Sequence, residues 1–172
     1  VDGLKTGHTA ESGYSMVSSA KRDKTRLIAV VIGAKSDKDR ITDSKKLLNY
    51  GFRYFETYKA FNKDETIQTV NIFGSHQDTL ALVVQDAAEI TLMRGKKKNI
   101  KTIVTVDKYI TAPIKKGDKY GEITISLDNN NLATIPLVAA TSVEAGNFLI
   151  TIWHKLLLMF YKLFDINPNP ST

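Results

Sequence analysis

The sequence has no cysteine, four prolines, one tryptophan and three histidines in 172 residues. Without cysteine there is no disulfide, no thiolate nucleophile and no Cys-ligated zinc, and a periplasm and a cytosol remain equally compatible. His8, His76 and His154 form no HxxH or HExxH pair, so neither a metal nor a cofactor is expected. The sequence starts at Val1 with no initiator Met, no charged-then-apolar stretch and no small-residue cleavage site, so no targeting signal is visible in it. The expectation is a mature product or a fragment. Internal repeats and low-complexity segments are also lacking. With 42% apolar and 24% charged residues, the chain is neither disordered nor fibrous, and its length suits one medium or two small domains.

The formal net charge is +6, which favours anionic surfaces such as lipid headgroups, nucleic acid or acidic wall polymer but bears on association and not on fold. Two basic clusters, residues 21–26 and residues 94–98, sit at expected inter-strand turns. Solvated charge is the ordinary reading there, no recognition motif accompanies them, and no nucleic-acid partner is expected.

Residues 13–20 and 26–32 read as a strand pair joined by a polar turn. From Asp39 the period changes. Leu48, Phe52 and Phe55 recur at i, i+4 and i+7, flanked by Leu47, Tyr54 and Tyr58, which predicts an amphipathic helix with Asp37 or Asp39 as N-cap. After Phe61 short β-rich runs follow at residues 66–73, 80–84, 89–93, 100–107, 122–127 and 132–139. Turn signals such as Arg94-Gly95, Lys116-Gly117-Asp118 and Asp128-Asn129-Asn130-Asn131 separate them, at the spacing of an all-β sandwich.

Residues 148–164 are Leu, Ile, Met and aromatic except for Thr151, His154, Lys155 and Lys162, which a helix would gather on one stripe. At ~1.5 Å per residue such a helix is about 25 Å long, short of the roughly 30 Å hydrocarbon core of a bilayer. Lying in the membrane interface therefore fits better than spanning. Leu156 and Phe160 would sink to the acyl boundary, Trp153 and Tyr161 would sit near headgroup level, and Lys155 and Lys162 would meet anionic lipid. The alternative is a core helix packed on the β domain.

The opening residues carry the chemistry. Lys5-Thr6-Gly7 is weak as a bare tripeptide, but it stands within Val1 to Thr9 and is followed by Gly13-Tyr14 and a hairpin. This resembles the third motif of the penicillin-recognising serine enzymes, whose set is S-x-x-K, S-x-N and K-T-G. More narrowly, the chain is similar to low-molecular-mass penicillin-binding proteins of the serine-type D-alanyl-D-alanine carboxypeptidase family. That similarity extends through Ser44-Lys45-Lys46-Leu47-Leu48, Gly51-Phe52-Arg53-Tyr54-Phe55-Glu56, Leu137-Val138, Gly146-Asn147-Phe148 and the terminal amphipathic helix.

The resemblance implies an α+β chain: a partial penicillin-binding, β-lactamase/transpeptidase-like domain, then an all-β sandwich-like domain and a C-terminal amphipathic helix. The implied boundaries are residues 1–61 for the catalytic-domain part, 62–145 for the β-rich domain, 146–165 for a membrane-anchor helix and 166–172 for a tail. Lys5 and Thr6 would hold the terminal carboxylate of a peptidoglycan pentapeptide ending in D-Ala-D-Ala. Gly7 would let the substrate backbone come close, and the backbone N–H of His8 would be an oxyanion donor.

The nucleophile and its activating lysine are missing. Ser18 and Lys21 satisfy S-x-x-K on paper, but in a strand i and i+3 point to opposite faces, and the family's nucleophile precedes K-T-G. No S-x-N occurs. The expectation is a fragment, inactive alone, of a carboxypeptidase acylated by β-lactams, peripheral on the outer face of the inner membrane in a bacterial periplasm. The competing readings are a non-catalytic β-domain module anchored at a membrane surface and, less well matched, a β-lactamase relative.

Overall fold

The computed structural model describes residues 1–169. Residues 170–172, part of the expected tail, lie outside the described residues. The chain is mostly β-sheet with two helices and divides into two compact units, residues 1–58 with 91–97, and residues 59–90 with 98 onward.

In the first unit β1 (Gly3–Thr9), β2 (Gly13–Arg22) and β3 (Thr25–Ala34) form an antiparallel sheet in that order, followed by α1 (Asp37–Tyr54). Alternation sets the faces. Met16, Ser18 and Ala20 on β2 and Ala29 on β3 are buried, and Ala20 and Ala29 pack with Leu48 and Phe52 of α1. Small side chains on the sheet let the helix approach closely, and a Cβ on Gly51 would overlap Leu27. The other face of the sheet is uncovered, with Val17, Ile28, Val30 and Ile32 all exposed.

Two expectations for this helix are corrected. Its N-cap is Ser36, whose Oγ accepts the Asp39 N–H at 3.1 Å. Asp37 and Asp39 lie inside the first turn, where their charge complements the helix dipole. The helix also ends at Tyr54, and Phe55 is extended (φ −120°, ψ 152°) with its N–H bonded to the Gly51 carbonyl. Phe55 and Tyr58 belong to β4 (Phe55–Phe61), a segment of aromatics and Thr whose strand pairing outweighs the continuing helical spacing.

The remaining elements are β5 (Thr66–Phe73), β6 (Thr79–Val84), β7 (Ala88–Met93), a 3-10 turn (Lys96–Asn99), β8 (Ile100–Val106), β9 (Ile110–Thr111), β10 (Lys119–Leu127), β11 (Asn130–Ala139) and α2 (Phe148–Leu163). The second unit is built on a six-stranded sheet, β8-β10-β11-β6-β5-β9, antiparallel except for β5 with β9. β4 pairs with β7. Leu80, Leu82, Ile123, Ile125 and Leu137 centre its core, each at most 1% exposed. Asp128 and Asn129 both take positive φ, 49° and 69°, as the two-residue β10–β11 hairpin requires.

α2 is capped by Asn147, whose Oδ1 accepts the Ile150 N–H at 3.0 Å, and has no fully buried residue. It packs on β5 and the turn after it. Thr151, His154, Lys155 and Lys162 share one stripe of this helix; Thr151 and His154 on it are half-buried, whereas Lys155 and Lys162 are exposed. His154 lies on the packed side because its ring nitrogen meets the Gly74 N–H and its ring meets Phe73 edge-on. Beyond the helix Asn169 is 2% exposed. Its Oδ1 accepts the Asn71 N–H at 2.7 Å, and its Nδ2 donates to the Asn71 carbonyl at 3.0 Å and the Lys108 carbonyl at 3.3 Å. Among the described residues no helix is long and apolar enough to cross a membrane.

Candidate functional site

β1 is an edge strand, paired on one side with β2 in the register Lys5↔Val17, Thr6↔Met16, Gly7↔Ser15 and His8↔Tyr14. All seven of its residues are exposed, so its outer edge offers unpaired backbone groups to an extended peptide. Lys5, Thr6, Gly7 and His8 are thus presented together along one accessible edge. The Lys5 ammonium donates to the Thr6 carbonyl at 2.6 Å. A Cβ placed on Gly7 meets nothing within 4 Å, and Gly7 does not have positive φ. Neither packing nor backbone conformation within the unit requires glycine at this point.

Both ends of β1 are tied down. At the start, the Asp2 carboxylate takes two hydrogen bonds from the Arg26 guanidinium, at 2.8 and 2.6 Å, and the Asp2 N–H donates to the Ser19 carbonyl. The Arg26 hydrogen bonds hold the Asp2 carboxyl below the usual aspartate range. At the far end, the His8 Nδ1 donates to the Gly13 carbonyl at 3.2 Å, and the His8 ring stacks on Tyr14 with centroids 3.9 Å apart and planes at 13°. From α1, Arg40 reaches the Gly7 carbonyl at 3.0 Å and the Ser15 carbonyl at 3.2 Å.

Ser18 is buried on β2 and Lys21 is exposed, so they do not form a nucleophile and base. Among the described residues no group of three His, Asp or Glu could hold a metal ion. The basic clusters are engaged locally. Arg22 lies over the Phe52 ring and bonds Asn49, Arg94 bonds the Phe52 carbonyl and pairs with Glu56, and Lys97 lies over Tyr58.

The second group of candidate residues lies on α2. Trp153, Leu156 and Phe160 point outward, 66%, 54% and 50% exposed, beside Phe148, Leu149, Met159 and Leu163, which are also exposed. Lys155 is exposed, and the Lys162 ammonium stands 5.6 Å from the Tyr109 ring. Tyr161 turns the other way, half-buried with its ring 5.9 Å from that of Phe73. α2 therefore packs on the β unit through one side and leaves a broad apolar side uncovered. The sequence alone assigns no functional role to Arg40 or to the Asn71–Asn169 pair, and Tyr14 enters it only beside Gly13 in the family resemblance. The one local signal for Arg40 was its i, i+3 spacing from Asp37 in a predicted first turn.

An edge strand reading Lys-Thr-Gly-His, backed by a helix and followed by a β-rich unit, is the arrangement of a penicillin-recognising protein. Residues 55–145 match the family described as "Penicillin-binding protein 5, C-terminal domain", and residues 1–36 match "D-alanyl-D-alanine carboxypeptidase". The chain belongs to the low-molecular-mass penicillin-binding proteins of the D-alanyl-D-alanine carboxypeptidase type and carries their C-terminal domain. Similar proteins include D-alanyl-D-alanine carboxypeptidase DacC of Escherichia coli (strain K12), 38% identical over 95% of this chain and 41% of its own length. DacA of Haemophilus influenzae is 34% identical over 96% of this chain and 42% of its own length. Among solved structures, penicillin binding protein 5 from Haemophilus influenzae superposes with a TM-score of 0.75 at 34% identity, covering 81% of this chain and 41% of that one. The chain spans about two-fifths of the length of the curated relatives it matches.

Proposed function

We propose that this chain supplies one wall of the catalytic cleft, the β-rich domain and a membrane-surface helix of a serine-type D-Ala-D-Ala carboxypeptidase. The observation that carries the reading is Gly7. It lies on an open strand edge between Lys5-Thr6 and His8, where nothing in the unit itself calls for glycine. A substrate backbone drawn against that edge does call for it. The uncovered apolar face of the sheet, with Ile28, Val30 and Ile32 exposed, further supports a larger catalytic domain packing there.

In this reading Lys5 and Thr6 grip the terminal carboxylate of a peptidoglycan pentapeptide ending in D-Ala-D-Ala by charge-assisted hydrogen bonds. A serine from an S-x-x-K segment outside this chain adds its Oγ to the carbonyl carbon of the penultimate D-Ala. The developing oxyanion takes a hydrogen bond from the His8 N–H, a donor of the kind worth ~3 kcal/mol to a transition state. The C–N bond then breaks, the terminal D-Ala leaves with the proton that the serine lost, and water hydrolyses the acyl-enzyme. A β-lactam follows the first half, with its ring C–N bond as the one broken.

The outward apolar side of α2 supports attachment at a lipid surface, with Trp153, Leu156 and Phe160 inserted and Lys155 and Lys162 toward anionic headgroups. The location that follows is the bacterial periplasm, peripheral on the outer face of the inner membrane.

A fluorescent penicillin tests the assignment. A longer protein joining an S-x-x-K and S-x-N segment to this chain should label covalently, and residues 1–172 alone should not. Labelling of the short chain would place the nucleophile within it and overturn the reading, as would an unreactive longer protein.

A further inference from the structure

Arg40 is the first-turn residue of α1 that reaches across to β1. Its Nη1 donates to the carbonyls of Gly7, at 3.0 Å, and Ser15, at 3.2 Å. Its Nη2 is ion-paired with Asp37 one helical turn earlier. The guanidinium carbon stands 5.4 Å from the centroid of the Tyr14 ring, whose own ring is stacked on His8. The Arg40 side chain is 13% exposed. Both Nη atoms are thus committed inside the unit, which leaves this arginine poorly placed to bind a substrate carboxylate itself.

The Gly7 carbonyl and the His8 N–H belong to one peptide group, which is planar and trans. Fixing its oxygen therefore fixes the direction of its N–H. In a trans peptide the two bonds point opposite ways, so a guanidinium holding the oxygen from the α1 side turns the N–H away from it. A cationic donor on the oxygen also polarises the peptide and makes its N–H a stronger hydrogen-bond donor. The anchor is doubled, because the same nitrogen holds the Gly7 and Ser15 carbonyls of facing residues, and the β2–β3 register slips next to Ser15. Without the arginine, the β1–β2 ladder alone would carry that peptide, beside the point where β2 slips register against β3.

We infer that Arg40 is a positioning residue that aims and polarises the Gly7–His8 peptide, with the Tyr14–His8 stack holding the same peptide from the side-chain direction. The inference rests on β1 being the K-T-G wall of an acyl-transfer site.

The test has two arms, both comparing wild type with Arg40→Ala, Arg40→Lys and Tyr14→Leu. In residues 1–172, the Gly7 carbonyl 13C and His8 amide 15N chemical shifts, which both sense the hydrogen bond on that carbonyl, should move in Arg40→Ala. In the longer, serine-bearing protein, stopped labelling with fluorescent penicillin separates acylation rate from the fraction finally labelled. Arg40→Ala should slow acylation about tenfold, less than the loss of a whole oxyanion donor, with the final fraction unchanged. Arg40→Lys should recover part of the rate, since an ammonium can hold one carbonyl but not the fork.

A reduced labelled fraction at unchanged rate would mean that Arg40 serves stability alone and would overturn the inference. So would an unaltered acylation rate, or unaltered Gly7 carbonyl and His8 amide shifts in Arg40→Ala. If the wild-type longer protein fails to label, the carboxypeptidase reading falls instead, and the chemical-shift arm alone decides whether Arg40 holds this peptide.

Discussion

The Nδ1 atom of His154 on α2 accepts a hydrogen bond from the backbone N–H of Gly74, 2.7 Å away. Gly74 has φ 78°, and its carbonyl accepts the N–H of Gly146 at 2.8 Å. Both polar groups of one turn residue are therefore tied to the segment that forms α2. Replacing His154 with Phe keeps a ring beside Phe73 but deletes the acceptor. A half-buried N–H left without a partner costs about 1 kcal/mol. Hydrogen exchange at Gly74 should accelerate about fivefold, with the amides of α1 unaffected; an unchanged Gly74 rate would show that other contacts hold the helix.

The two sides of α2 should respond oppositely to substitution. Leu156 is half exposed on the uncovered side, so Leu156→Asp should leave the thermal unfolding of the β unit within about 0.5 kcal/mol. The same change should reduce liposome flotation at least about tenfold if, as proposed, this stripe faces lipid, because it sets a charge there. Tyr161 packs edge-on against Phe73. Tyr161→Ala should lower stability by about 1 kcal/mol and change flotation less than about twofold. The reverse pattern would mean that the uncovered side is not the lipid-binding one.

Lys5→Ala separates carboxylate recognition from chemistry. In a serine-bearing protein that includes this chain, acylation by a peptide or β-lactam carrying the terminal carboxylate should fall about tenfold or more. That is the loss expected for a charge-assisted hydrogen bond of roughly 1.5–3 kcal/mol. Acylation by analogues lacking the carboxylate should change little. Equal losses for both classes would assign Lys5 a role other than gripping that group.

The parts of the fold legible in the sequence are those governed by local pattern. Alternation on β10 puts Ile123 and Ile125 in the core, the Asp128-Asn129 turn closes its hairpin, and Leu48 and Phe52 mark the packed face of α1. The misread places are those where two local signals compete. Phe55 continues the helical spacing yet begins a strand, and Asp37 and Asp39 compete with Ser36 as caps. Other features depend on partners far away in the chain. Arg40 meets Gly7 across 33 residues, and Asn169 meets Asn71 across 98. No window of sequence contains both members of either pair, and His154 reads only as part of a polar stripe until Gly74 is seen beside it. Lys5-Thr6-Gly7 was legible as a motif, whereas the arginine that holds its last carbonyl was not.

The start of the motif strand should carry a pH dependence of definite sign. Asp2 is held below its ordinary value of 3.8 chiefly by the Arg26 hydrogen bonds; desolvation opposes them, and the charge of Arg26 and the Ser19 hydroxyl add to the lowering. A carboxyl whose folded value is depressed stabilises the folded strand above its unfolded value and loses that contribution as pH falls through the folded one. The protection that Asp2 gives β1 should therefore be complete at neutral pH, begin to fade near pH 4 and vanish in stronger acid. Carbon-detected titration should place the Asp2 carboxyl below 3.8 and return it toward that value in Arg26→Gln. Exchange at Gly3 and Leu4 should be faster in Asp2→Ala than in wild type at pH 6, and the gap should close as the carboxyl protonates. Both groups are solvent-exposed and salt screens such pairs, so raising the ionic strength should narrow the gap at pH 6 as well. A gap that persisted unchanged into strong acid would show that the carboxylate charge of Asp2 is not what protects β1.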